Sequence, residues 1–178
     1  MKKILSVALA VIMLLCAAAL ADAVVVQRTD TYEITSMIPK GYSFTEADYA
    51  DVIGGLFKPE NPNQPYYTLL VAYNEEYTEL FGEESSLSDL SEEQLQAGIA
   101  ELTREFADPE VKVTTTGLGT VVIVVNEQGS ESEYATVLSV YHGYFAQIYI
   151  DQLNGRPITD EEIQVAVDIM TSLTATEL

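Results

Sequence analysis

The stretch "VKVTTTGLGTVVIVVNEQGSESEYATVLSVYHGYFAQIYI", Val111–Ile150, decides the fold class. Four apolar runs, "VKVTTT", "TVVIVV", "YATVLSVY" and "YFAQIYI", are rich in β-branched and aromatic residues, which suit a pleated surface. Their links are short: Gly117-Leu118-Gly119, the polar "NEQGSES", and His142-Gly143. Parallel neighbours need a crossover of about a dozen residues or more, so four consecutive strands on such links pair antiparallel.

On either side the period changes. "LSEEQLQAGIAELTREFADP" carries Leu95, Ile99, Leu102 and Phe106 at helical spacing, with Glu93, Glu101, Arg104 and Glu105 opposite. Ser91 and Gln94 make a capping box, which occupies backbone N–H groups that the first turn leaves without partners. The spacing predicts a helix of about four turns ended by Pro109. "TDEEIQVAVDIMTSL" repeats the arrangement, with Thr159 and Glu162 as the box and Ile163, Ala166, Met170 and Leu173 as the buried stripe.

Upstream, "TYEITSMIPKGYSF" alternates Tyr32, Ile34 and Ser36 with other side chains, then turns at Pro39 and Gly41. Val52–Phe57 and Tyr66–Tyr73 read as the arms of a hairpin around the Pro- and Asn-rich "KPENPNQP". Gly54-Gly55 within the first arm predicts a bulge or a close backbone approach. The order is strands, helix, four strands, helix: an α+β domain with a mainly antiparallel sheet flanked by two main helices.

That order, with "YEITSMIPKGY", the hairpin, "TTGLGTVVIVV" and the closing "TDEEIQVAVDIMTSL", resembles the PsbP-like fold over nearly all of residues 30–175. The family includes the extrinsic PsbP protein of photosystem II and many small exported bacterial proteins. The resemblance implies a sandwich of helices around an antiparallel sheet and a role in binding or assembly. No site signature carries over position by position.

Lys2 and Lys3 precede an uncharged run from Ile4 to Ala21, closed by the small-x-small triplets Ala19-Leu20-Ala21 and Ala21-Asp22-Ala23. A basic start, an apolar middle and such a close mark a cleaved secretory signal. A spanning anchor would sit at the low edge of the ~17–25 residues needed, and no basic stop-transfer cluster follows. The expected division is a signal peptide at residues 1–23 and one domain at 24–178, with cleavage near Ala21 or Ala23 and release outside the cell or into a periplasm. Cys16 is the sole cysteine. A lipoprotein signal wants a small residue just before its cysteine, and Leu14 and Leu15 stand there, which argues against lipid attachment. Cys16 reads as a small hydrophobe in the discarded segment.

The net charge is −20. Nucleic-acid affinity comes largely from Lys and Arg neutralising phosphates, so nucleic acid is excluded as a partner, and anionic surfaces are disfavoured. The expected partner is an unidentified cell-envelope or extracellular one, bound by a monomer without a stable membrane anchor. No motif for a catalytic elbow, a metalloprotease helix or a phosphate-cradling loop occurs, so neither catalytic residues nor a cofactor is expected.

The single histidine, His142, sits in "YHGY", a good two-residue hairpin turn. Tyr141, His142 and Tyr144 form the candidate binding face, because tyrosine offers large contact area at low rotamer cost. Tyr66, Tyr67 and Tyr149 lie on other predicted strands. Two alternatives stand beside this. Two facing carboxylates among the 28 acidic residues would serve a hydrolase. The acidic stretch "EEYTELFGEESSLSD" would hold a cation such as Ca²⁺, although it lacks the spacing that aims ligands at one point.

Overall fold

The computed structural model describes residues 20–28, 32–49, 52–72, 86–104, 109–115, 121–127, 134–141, 144–151 and 156–178. Strands β1 (Leu20–Arg28), β2 (Tyr32–Pro39) and β10 (Thr174–Glu177) form a three-stranded sheet in the order β1-β2-β10. The larger sheet joins β3 (Tyr42–Tyr49), β4 (Val52–Pro59), β5 (Tyr66–Ala72), β6 (Pro109–Thr115), β7 (Val121–Glu127), β8 (Tyr134–Tyr141) and β9 (Tyr144–Asp151). Its order is β3-β4-β5-β9-β8-β7-β6, and every pairing in both sheets is antiparallel. The two helices are α1 (Glu92–Leu102) and α2 (Asp160–Thr171), with a 3-10 turn at Leu87–Asp89 before α1. This is the α+β architecture that the alternation of periods predicts.

The expected hairpins of β4–β5 and β6–β7–β8–β9 are all present. Three strands go beyond the sequence reading: β1, which runs across both candidate cleavage points, β3, and the short β10. Gly41, at φ +81°, makes the turn that takes the chain from β2 in one sheet to β3 in the other, and its carbonyl accepts the Glu60 N–H at 2.8 Å.

Strand alternation divides the large sheet into two faces. On the first, Phe57, Tyr67, Leu69, Ile148, Ile150 and Val137 are buried against Ala166, Val167, Ile169 and Met170 of α2 and against Val26 and Ile34 of the small sheet. On the second, Ile123, Val125, Leu138, Val140 and Phe145 pack with Leu87 and with Ile99 and Leu95 of α1. Helices therefore lie on both faces: α1 contributes Leu95 and Ile99 of its predicted stripe, and α2 contributes Ile163, Ala166 and Met170, with Leu173 just past its end.

Both capping boxes form. The Gln94 N–H donates to Ser91 Oγ at 3.3 Å and the Ser91 N–H to Gln94 Oε1 at 3.1 Å. At α2 the Glu162 N–H donates to Thr159 Oγ1 at 3.3 Å and the Thr159 N–H to Glu162 Oε2 at 2.9 Å. α1 is shorter than its apolar spacing predicts. Thr103 ends it by turning its hydroxyl back to the Ile99 carbonyl at 2.8 Å, and Phe106 lies outside the described residues. α2 is tied to the small sheet by Ser172, whose hydroxyl donates to the Ile169 carbonyl at 2.7 Å and accepts the Met37 N–H at 3.0 Å.

Gly54 and Gly55 produce no bulge, because the β3–β4–β5 register runs through them without a shift. The close approach is real at both. A Cβ on Gly55 would overlap the ring of Phe44, and one on Gly54 would overlap the Leu69 carbonyl oxygen. The Phe44 ring, laid across Gly55, also meets Phe57 at 5.1 Å between centroids.

Candidate functional site

Tyr141 and Tyr144 are paired directly across the β8–β9 ladder. His142 and Gly143 lie outside the described residues, as do the side chains of both tyrosines. Tyr149 stands five positions further along β9, about 17 Å at strand rise, so it does not join that end of the hairpin. Most of the acidic stretch considered for a cation also lies outside; its described part is the 3-10 turn, which buries Leu87. Among the described residues no group of three His, Cys, Asp or Glu side chains is placed to hold a metal ion.

A polar cluster does form where the β4–β5 loop meets the start of α2. Tyr67, fully buried on the α2 face, donates its hydroxyl to the Glu162 carbonyl at 3.1 Å. Its ring meets Tyr42 at 5.4 Å with the planes tilted by 50°. Arg156 forks onto the Glu162 carboxylate, with Nη1 at 3.0 Å from Oε2 and Nη2 on Oε1, and Nη2 also donates to the Asn63 carbonyl at 3.1 Å. One guanidinium thus joins the loop and the capping box.

The electrostatics of this cluster do not suit a general acid. Burial pushes the Tyr67 phenol well above its ordinary value, and the neighbouring Tyr42 adds to that. Burial raises Tyr42 too, against the pull of its hydrogen bond to Tyr67. Burial alone would raise the Glu162 carboxyl, but Arg156 and the Thr159 N–H and hydroxyl outweigh it and hold the carboxyl below its usual range. A general acid near neutral pH needs the reverse shift. Glu162 stays ionised and the phenols stay protonated, so the cluster fastens elements together.

The second face differs between its two ends. Over β6, β7 and β8 it is covered by α1 and the 3-10 turn. Over β5 and β9 it carries Tyr66, Thr68 and Leu70 paired with Asp151, Tyr149 and Gln147, and all of these but the exposed Asp151 are half-buried. Leu56 of β4 continues the row beside Thr68. Tyr66 and Tyr149 are diagonal neighbours, close enough for their rings to share one patch. Burial raises the Tyr149 phenol, a hydrogen bond from Gln147 lowers it, and the Asp151 carboxylate raises it. The patch offers two aromatic rings, two aliphatic side chains and polar groups at its rim.

No protein-family model and no curated protein matches the chain. Among solved structures it is similar to cyanobacterial PsbP (CyanoP) from Synechocystis sp. PCC 6803. The two share 12% identity with a TM-score of 0.46, over 89% of this chain and 94% of that one.

The Tyr66–Tyr149 patch is partly legible in sequence. Alternation requires that Tyr66 and Tyr67 face opposite ways, but only the β5–β9 register shows which one meets α2. The Arg156–Glu162–Tyr67 cluster leaves less of a trace. Its capping box is visible, whereas a hydroxyl aimed at a backbone carbonyl has no sequence signal.

Proposed function

We propose that this chain works as an exported, non-catalytic binding or assembly module whose partner belongs to the cell envelope or the surrounding medium. On this reading residues 24–178 act as one monomeric domain, released into a periplasm or outside the cell after cleavage of the leader near Ala21 or Ala23. No helix among the described residues is long and apolar enough to cross a membrane. The observation that carries the reading is the half-buried row of Tyr66, Leu56, Thr68, Leu70, Gln147 and Tyr149 on a sheet face whose other end is closed by α1. Rigid aromatic area with polar atoms at its edge suits partner contact. The net charge of −20 favours a basic or cation-bearing partner over an anionic one. Tyr141, His142 and Tyr144, at the far end of β9, are proposed as a further contact at the hairpin tip.

The test is capture from fractionated envelope and medium by the immobilised domain, repeated with Y66A and Y149A. Contact residues near the centre of an interface cost more than about 1 kcal/mol when truncated. Each variant should therefore lose about fivefold or more of the affinity while keeping its unfolding midpoint. Reproducible turnover of a substrate, abolished by E162Q, would overturn the non-catalytic reading. An affinity unchanged by both tyrosine variants would move the contact away from this face.

A further inference from the structure

The two small-x-small triplets are alike to a peptidase that needs small side chains at the first and third positions, but they are not alike to the fold. Regular β1–β2 pairing begins at Ala23, opposite Met37, and continues through Val24 opposite Ser36 and Val25 opposite Thr35. Before Ala23 the register shifts, with three steps along β1 from Leu20 matched by two along β2. Val24 is half-buried against the main core and Val26 is fully buried in it, while Ser36, across from Val24, is 1% exposed.

A cut after Ala23 removes the first regular pair and leaves the new α-ammonium on Val24. That places a full charge at the backbone nitrogen of a half-buried residue that packs on the core, beside the buried Ser36, and any loss of water around an unpaired charge is costly. A cut after Ala21 keeps the in-register stretch from Ala23 to Val25 whole, up to the second shift between Val25 and Gln27. It also carries the ammonium two residues further out, onto Asp22, whose own carboxylate accompanies it. The sequence agrees: the uncharged run ends at Ala21, so the first triplet lies flush with the end of the apolar segment.

We infer that the leader is removed after Ala21 and that the mature chain begins at Asp22, two residues that complete the entry to β1. This inference rests on the export reading above, and one experiment separates the two. Intact mass and N-terminal analysis of the natural protein, taken from the medium or periplasm, should give Asp22 as the first residue. A start at Val24 overturns the inference and leaves export standing. A chain found only inside the cells with Met1 kept overturns both.

Variants sharpen the test, because Ala19 belongs only to the first triplet and Ala23 only to the second. A23L should be processed at Asp22 as the natural chain is. A19L should lose the Asp22 product. Both are read by mass in unfractionated extract, so neither depends on correct folding. Loss of the Asp22 product from A23L, or its persistence in A19L, would overturn the assignment.

Discussion

The Tyr67 hydroxyl donates to the Glu162 carbonyl at 3.1 Å, joining the middle of the large sheet to the first turn of α2. Helix geometry already gives that carbonyl the Ala166 N–H as a partner, so removing the hydroxyl orphans no carbonyl, and Tyr42, which also loses its bond with Tyr67, is only half-buried. The expected cost of Y67F is therefore that of one ordinary hydrogen bond, about 1 kcal/mol. In a domain of this size that is a fall in Tm of roughly 2–4 °C. Calorimetry checks it, and an unchanged Tm would mean that the hydroxyl contributes nothing.

Glu162 predicts a pH dependence. Its carboxyl lies below the ordinary value of 4.5 in the folded protein, held there by Arg156 and Thr159 against the effect of burial. A depressed folded-state value means that ionisation stabilises the fold above about pH 4.5, and that this stability is lost as pH falls through the lower folded value. E162Q keeps an acceptor for Thr159 but loses the charge. Above pH 5 it should be less stable than the natural chain by about 1 kcal/mol, a modest figure because Arg156 is partly open to screening water. As the pH falls from 4.5 through the lower folded value the two should converge. Denaturant midpoints measured from pH 3 to 7 decide this, and a gap that stays constant would rule out the ion pair as its source.

Much of the fold is legible in residues because its signals are local. The short links from Val111 to Ile150 require antiparallel pairing, and Ser91–Gln94 and Thr159–Glu162 mark both helix starts. The strands that escape have another cause. β10 is only Thr174–Glu177 and exists because β2 offers it an edge. β3, "YSFTEADY", carries Glu46 and Asp48 on an edge strand, where charge is tolerated but obscures the apolar alternation. β1 overlaps the segment whose composition resembles an export leader, so its valines read as the tail of an export signal. The tyrosine patch needs a cross-strand register, which no single strand encodes.

Gly54 and Gly55 predict two different kinds of intolerance. G55A drives a methyl group into the Phe44 ring, a side chain that can move, and should cost about 1–3 kcal/mol. Combined with F44L, part of that cost should vanish, giving a coupling of at least about 0.5 kcal/mol in a double-mutant cycle. G54A meets the Leu69 carbonyl instead, which is backbone in the β4–β5 ladder. F44L should give it no relief. Equal rescue of both glycine variants would contradict the separate contacts.

Thr136 is 2% exposed, and its hydroxyl has no hydrogen-bond partner among the described residues. Its neighbours across the ladders are Tyr149 on one side and Val125 on the other, so it sits where the tyrosine patch meets the region closed by α1. A buried hydroxyl without a partner gives up its bonds to water and gains nothing in return. Valine has nearly the same shape without that loss. T136V is therefore expected to raise stability by about 1 kcal/mol, read as a higher denaturant midpoint at unchanged slope. If the patch contacts its partner through side chains above this position, T136V should also leave capture by the Tyr66–Tyr149 face intact. A lower midpoint would show that the hydroxyl is bonded in solution. Loss of capture at full stability would place Thr136 itself in the contact.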